Sequence, residues 1–449
     1  MTRPAQRFSI GAWTGVIALL FLLIHPAAGQ DLRSLTAEEA VQLGLQRNAM
    51  IRAAEAGADE ADALFRQARA ARRPSVTAQG SYTRLSNNIP AITFTQPGTD
   101  IEVTLAPVVL DRYYSEVGIE QPLFTGLRIH NQIRAASHQA EAAALDAEWQ
   151  EADVAFQIKQ AYWQLYEALG LQQAVAASLA RVEAYVSDVQ NRRDAGSALE
   201  SDVLTAQTRR SEVQLEQIQR DNAVRVARLE LNRLIGAPLD ADVTLWGPEI
   251  PLPMTTPLDT FLTQAGARHP QIDALSEQVA ALGAQVKASQ GGWLPEIVAT
   301  GRYAYSRPNQ YFFLDQDAFR GNWEAGVAVR WNLWNGGQRE AGTQEARARL
   351  QGAEARLAYA RDEVAVAITS RYLDVQRAEA SFEVIQQNVR EAEEAYRVVQ
   401  QQHQEGVALT STMLEVEEAL RLAQSRAAQA MAGQMIARAA LAYTLGEVR

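Results

Sequence analysis

The stretch Asp194-Ala195-Gly196-Ser197-Ala198-Leu199-Glu200-Ser201-Asp202-Val203-Leu204 joins two long helical patterns through a single glycine. The same arrangement returns 210 residues later around Gly406, so both stretches read as tips of helical hairpins. Working outward, the whole chain proves to be duplicated. Arg47-Asn48-Ala49-Met50-Ile51 matches Arg268-His269-Pro270-Gln271-Ile272 at an offset of 221, and Pro74, Gly80 and Tyr82 match Pro295, Gly301 and Tyr303 at the same offset. Past a length difference the offset settles at 210, pairing Gly126 with Gly336, Tyr162 with Tyr372, Gly196 with Gly406, and Leu231 and Gly236 with Leu441 and Gly446. A register held that far marks two copies of one structural unit.

Each tip closes a long hairpin. From Gly126 to Arg193, and from Gly337 to His403, the helical pattern contains no proline. Apolar residues at Ile368, Val375, Phe382, Val389 and Tyr396, and at Val175, Val182 and Val189, recur every seven, the signature of helices packed along their lengths. Shorter helices are expected to return over 199–235 and 409–446. Each copy also opens on a helical pattern, over 36–72 and 257–292, the first with Thr36 and Glu39 placed for a capping box.

Between opening helix and hairpin the period changes to two. Strands are expected at about 75–85 and 113–124 in the first copy, and at about 295–305 and 323–334 in the second. In the last, Trp323, Ala325, Val327, Val329, Trp331 and Leu333 share one face, while Glu324, Gly326, Ala328, Arg330 and Asn332 share the other. Tyr82, Tyr113, Trp293, Tyr303, Trp323, Trp331 and Trp334 fall near the strand ends, as interfacial aromatics of an outer-membrane barrel do. Two strands per copy close nothing, so four per chain require oligomerisation. Residues 86–112 and 306–322 would be external loops. Pro122, Gly126, Gly336 and Gly337 mark the returns from strand to helix.

Composition sets the outer limits. Hydrophobic residues make up 47% and charged residues 21%, which excludes wholesale disorder. The balance of 42 basic against 53 acidic residues gives −11, which weighs against nucleic acid as a partner. There are no cysteines, so disulfides and thiolate metal sites are excluded. Arg3 and Arg7, the apolar run 16–24 and Ala27-Ala28-Gly29 read as a secretory signal over 1–29. The first copy then spans 30–236, a Pro-rich connector 237–257, and the second copy 258–449.

These features resemble the TolC-like outer-membrane efflux family over nearly the whole mature chain. The resemblance rests on the duplication, the order of elements, the junctions Pro122-Leu123-Phe124-Thr125-Gly126-Leu127-Arg128 and Leu333-Trp334-Asn335-Gly336-Gly337-Gln338-Arg339, and the Gly196 and Gly406 tips. It implies a mostly α fold with a transmembrane β part: long coiled-coil hairpins plus four strands per chain, contributing to a trimeric 12-stranded barrel in the Gram-negative outer membrane. It implies a homotrimer in outer-membrane lipid that docks a periplasmic adaptor and, through it, an inner-membrane transporter. Adaptor contacts would fall on Gly196, Ser197, Gly406 and Val407. Asp202 matches an inward carboxylate that constricts the family's periplasmic entrance. In the second copy Thr412 replaces that aspartate and Glu415 matches the second acidic position, a departure that bears on the gate.

Catalysis finds no support in the sequence. No Gly-x-Ser-x-Gly elbow, His-Glu-x-x-His pair or phosphate-cradling loop occurs, and no cofactor or metal site is expected. His130, His138, His269 and His403 are scattered, and surface positions are expected for the first two. The chain reads as a passive exit duct for small molecules such as drugs or metals. A type I protein-secretion channel and a secreted coiled-coil spacer are the alternatives.

Overall fold

The computed structural model describes residues 34–106, 108–247, 252–312 and 316–447. The expected leader lies outside them, as do Pro248 and Pro251 of the connector. Each copy opens on a helix broken in two, where the sequence suggested one. In α1 (Ala37–Arg47) the Glu39 amide donates to the Thr36 hydroxyl at 3.1 Å, and the Thr36 amide donates back to Glu39 Oε2 at 2.8 Å. The helix stops at Asn48, which turns extended (φ −67°, ψ 132°) and caps α2 (Ala49–Ala70) by accepting from the Met50 amide at 2.8 Å. A short amide side chain that bonds its own backbone competes with helix continuation, and the break follows.

Next come β1 (Ser75–Arg84), β2 (Ile92–Thr95), β3 (Glu102–Ala106) and β4 (Asp111–Thr125). β2 and β3 form a small hairpin of their own within the segment expected to be a loop. The first long hairpin is α3 (Arg128–Asp194) and α4 (Glu200–Ile235). The second copy repeats the order: α5 (Leu258–Ala267), α6 (Pro270–Gln290), β5 (Glu296–Arg307), β6 (Arg320–Arg330), α7 (Gln338–Gln404) and α8 (Thr410–Thr444). Its opening helix breaks where Pro270, without an N–H, starts α6. β6 ends at Arg330, opposite Glu296, the first residue of β5; beyond it no partner strand remains for 331–334.

The four long strands make one antiparallel sheet in the order β1-β4-β5-β6, so β4 and β5 join the two copies. One face carries Val76, Tyr82, Val117, Ile119, Tyr303, Trp323, Val327 and Val329, all exposed in the single chain and covered by no described helix. At the other end, α3 and α7 contain 67 residues each. At 1.5 Å per residue each spans about 100 Å. Around the hairpins α7 packs on α8, α8 on α3 and α3 on α4; nearer the sheet the order is α2, α3, α6, α7.

The heptad residues form the helical cores. Val175, Val182 and Val189 are buried with Val203, Val213 and Met413 near the tips, and Ile368 and Val375 with Leu441 farther up. About midway along α3, Tyr162 is buried with its hydroxyl between the carbonyls of Leu35 (2.8 Å) and Trp246 (2.9 Å), and burial pushes its pKa to about 12. That contact pins the connector against α3. No described helix is long and apolar enough to cross a membrane.

Candidate functional site

Both tips are built from one local device. Gly196 (φ +79°) donates to the Arg193 carbonyl at 2.9 Å, and the Ser197 amide donates to the Arg192 carbonyl at 2.8 Å. In the second copy Gly406 (φ +78°) donates to the His403 carbonyl at 3.0 Å, and Val407 to the Gln402 carbonyl at 2.9 Å. These paired bonds are a Schellman closure, which needs a left-handed residue and so selects glycine. Gly196, Ser197, Gly406 and Val407 are all solvent-exposed, and Leu199 and Leu409 beside them expose large apolar side chains.

The acidic residues behave unequally. Asp202 is half-buried and its Oδ2 accepts from the Leu199 amide at 3.1 Å, capping the start of α4. Thr412, its counterpart, makes no such bond, and α8 starts without a side-chain cap. Glu415 is exposed.

The two tips meet. Arg192 donates to the His403 carbonyl at 2.9 Å and pairs with Asp188 at 2.8 Å, while His403 Nδ1 donates to the Ala408 carbonyl at 3.0 Å. A cleft of about 380 Å³ lies between them, lined by Asp202 and Thr205 on one side and by Gly406, Thr410 and Ser411 on the other. Two turns above, a ladder of ion pairs crosses from hairpin to hairpin: Arg181 to Glu417 at 3.1 Å, Arg209 to Glu418 at 3.1 Å and Arg421 to Glu216 at 2.9 Å. Glu417 is only 2% exposed, and Arg181 lies 5.7 Å from the Tyr396 ring, so all four helices converge there. Burial raises the pKa of Tyr396 and of Tyr185, whose ring lies tilted against His403 at 5.2 Å.

Sequence reasoning named Glu415 and missed Glu417. The available signal was heptad register: Glu417 sits between Met413 and Leu420 on the buried stripe, where a carboxylate needs a partner. Of the two histidines expected at the surface, His130 is exposed but His138 is half-buried and reaches Glu277 at 2.6 Å; His269 and His403 are buried. Among the described residues no group of three His, Cys, Asp or Glu is placed to hold a metal.

At the sheet end, the junction glycines differ in what fixes them. Gly126 has φ +60°, and a methyl there would sit 2.3 Å from the Gly291 carbonyl oxygen. Gly336 (φ +68°) and Gly337 (φ +86°) face open space. Pro122 sits at a register shift in the β4–β5 ladder. The aromatics form two groups. The Tyr82 ring lies tilted against Tyr113 (5.0 Å) and Tyr113 tilted against Phe319 (5.6 Å), with Tyr303 opposite Trp323 nearby. At the helical end, Arg339 lies 4.7 Å from the Trp293 ring and Trp331 Nε1 donates to the Trp293 carbonyl at 3.2 Å; Trp334 is exposed. Eight residue steps, about 26 Å at strand rise, separate Trp323 from Trp331, the residue just past the end of β6, close to the about 25 Å apolar band of outer-membrane barrels.

Comparison with known proteins agrees with this arrangement. The chain is 26% identical over 436 residues to the outer membrane efflux protein BepC of Brucella suis, covering 96% of this chain and 90% of that one. Its fold matches the outer membrane protein VceC of Vibrio cholerae with a TM-score of 0.76 at 20% identity, covering 92% and 96% of the two chains. It matches the CmeC outer membrane channel of Campylobacter jejuni with a TM-score of 0.76 at 14% identity, covering 91% and 85%. The family model for outer membrane efflux proteins matches residues 40–237 and 261–447, one copy each: the chain belongs to the outer membrane efflux protein family.

Proposed function

We propose that three copies of this chain form one continuous duct, a barrel in the outer membrane opening into a helical tunnel that reaches toward the inner membrane. The observation that carries this reading is that the chain ends in two complementary open sides. Among the described residues the sheet leaves the outer edges of β1 and β6 without a partner strand, and the helical wall leaves α2 and α4 free on one side and α7 on the other. Both helical edges carry unpartnered apolar stripes: Leu204, Leu215, Ile218, Val226 and Leu229 on α4, and Tyr359, Val366, Leu373 and Val384 on α7. A head-to-tail contact of this kind closes only as a ring. Two copies would give about eight strands, whose interior side chains fill, whereas three give about twelve and leave a lumen.

The function is passive export of small molecules, drugs or metals, delivered by an inner-membrane pump through a periplasmic adaptor. The adaptor docks on the tips, where Gly196, Ser197, Gly406, Val407, Leu199 and Leu409 offer a small, exposed, partly apolar surface. The entrance is held narrow by the contacts between the tips, with Asp202 and Glu415 as charges near its wall and Thr412 neutral. A host lacking the chain should become sensitive to toxic small molecules. The wild-type chain should restore resistance; a Val407→Asp, Leu409→Asp variant should insert normally yet fail to restore it. Unchanged sensitivity in the deletion strain would reject the efflux reading, and a tip variant that fully complements would reject the docking surface.

A further inference from the structure

Opposite its apolar face, the sheet carries a belt of linked polar side chains that runs across all four strands. Gln79 on β1 donates to Glu116 Oε1 at 3.2 Å, and the Tyr114 hydroxyl donates to the other oxygen of the same carboxylate. Arg302 on β5 stands between two acids, 3.5 Å from Glu116 on β4 and 3.2 Å from Glu324 on β6. Tyr311, just beyond β5, folds back over this face and donates to Glu324 at 3.1 Å. The ladder puts these residues on one face: Gln79 opposes Glu116, and Arg302 opposes Glu324.

We propose that this belt sets the charge preference of the barrel lumen, so that Glu116, Arg302 and Glu324 are specificity-determining residues for what leaves the duct. The proposal rests on the barrel reading, in which the apolar face meets lipid and the polar face lines the lumen. One guanidinium held between two carboxylates leaves each chain with one net negative charge, and a closed ring repeats it around the lumen. The hydrogen bonds fix both carboxylates in place, so they cannot swing away to be neutralised elsewhere. Glu324 and Arg302 are each about half exposed on this face and Glu116 is 11% exposed, so a permeating ion would meet the first two directly.

Other charges on the face lie at different depths. Arg112 and Arg320 stand toward the loop end, Glu120 toward the helices, and Glu296 is paired with Arg128 at 2.6 Å. Arg320 is four residues from Glu324, about 13 Å along the strand, more than the Debye length of about 10 Å at 0.1 M salt. The belt therefore acts as a separate layer that favours cations and slows anions.

Reversal potentials in planar bilayers, measured across a potassium chloride gradient near 0.1 M, test this. Glu116→Gln with Glu324→Gln keeps shape and hydrogen bonding while removing the charge; the potassium-to-chloride permeability ratio should fall by about threefold or more. Arg302→Gln should raise it. A ratio unchanged in both variants, in channels of normal conductance, would overturn the proposal. A second measurement uses the absence of cysteine: Glu324→Cys treated with a cationic thiol reagent from the loop side should change single-channel current. No change there would place the side chain outside the lumen and also overturn it. Failure of the wild-type chain to give any channels would instead reject the barrel reading, and the proposal with it.

Discussion

Replacing Glu417 by alanine should loosen the tunnel near its entrance far more than replacing Glu415, two residues away. Glu417 is 2% exposed and holds Arg181 at 3.1 Å, whereas Glu415 is exposed. Removing one member of a fully buried ion pair costs about 3–5 kcal/mol because the other is left uncompensated. Arg181 keeps 20% side-chain exposure and its contact with the Tyr396 ring, so part of its charge is still solvated. The expected cost is therefore about 2–3 kcal/mol, against about 0.5 kcal/mol or less at exposed Glu415. Local opening of α8 from α3 should then become about 30- to 150-fold more frequent. Amide hydrogen exchange on the detergent-solubilised assembly reads this at residues 413–421. A double variant that also carries Arg181→Ala should recover part of the protection. Exchange within twofold of wild type in Glu417→Ala, or an equal loss in Glu415→Ala, would refute the assignment of Glu417 as the clasp between hairpins.

Three further outcomes follow from the same geometry. Val327→Arg places a cation on the lipid face at a cost of about 2–4 kcal/mol per chain and should abolish the heat-resistant oligomer on gels, while Ala328→Arg, on the opposite face, should leave it intact. Gly126→Ala forces a methyl 2.3 Å from the Gly291 carbonyl oxygen and should prevent assembly, whereas Gly336→Ala, in open space, should cost only the left-handed penalty of about 1–2 kcal/mol; thermal melting separates the two. Burial lowers the pKa of His269 below its ordinary 6.5, so the unfolded chain binds more protons and stability is lost as pH falls through that value. His269→Gln should flatten the decline in melting temperature between about pH 7 and 5, and an unaltered slope would contradict it.

Much of this fold was legible in the sequence because its signals are local. A glycine between two periodic segments marks each tip, alternation marks β1, β4, β5 and β6, and an unbroken heptad pattern marks α3 and α7. The duplication then ties these together without any knowledge of contacts. What stayed hidden is long-range or competes with a local pattern. Glu417 and Arg181 are 236 residues apart, and neither announces the other. The pairing of β4 with β5, which joins the copies, has no local signature either. The β2–β3 hairpin is too short for its alternation to stand out among turn residues. Asp202 shows the opposite difficulty: its position is legible, but a carboxylate three residues after Leu199 fits a helix cap as well as a tunnel wall, and here it makes the cap bond.

Closure into a ring of three is the claim on which the duct depends, and the absence of cysteine makes it directly measurable. A cysteine at Thr77 on β1, combined in turn with Asn322→Cys, Glu324→Cys and Gly326→Cys on β6, supplies one reactive group on each open edge of the sheet. Oxidation in isolated outer membranes, read on a denaturing gel, should give for at least one pair a ladder that ends at covalent trimers. Cross-linking that runs on to higher oligomers, or none in any pair from protein that is inserted and folded, would contradict the three-chain barrel.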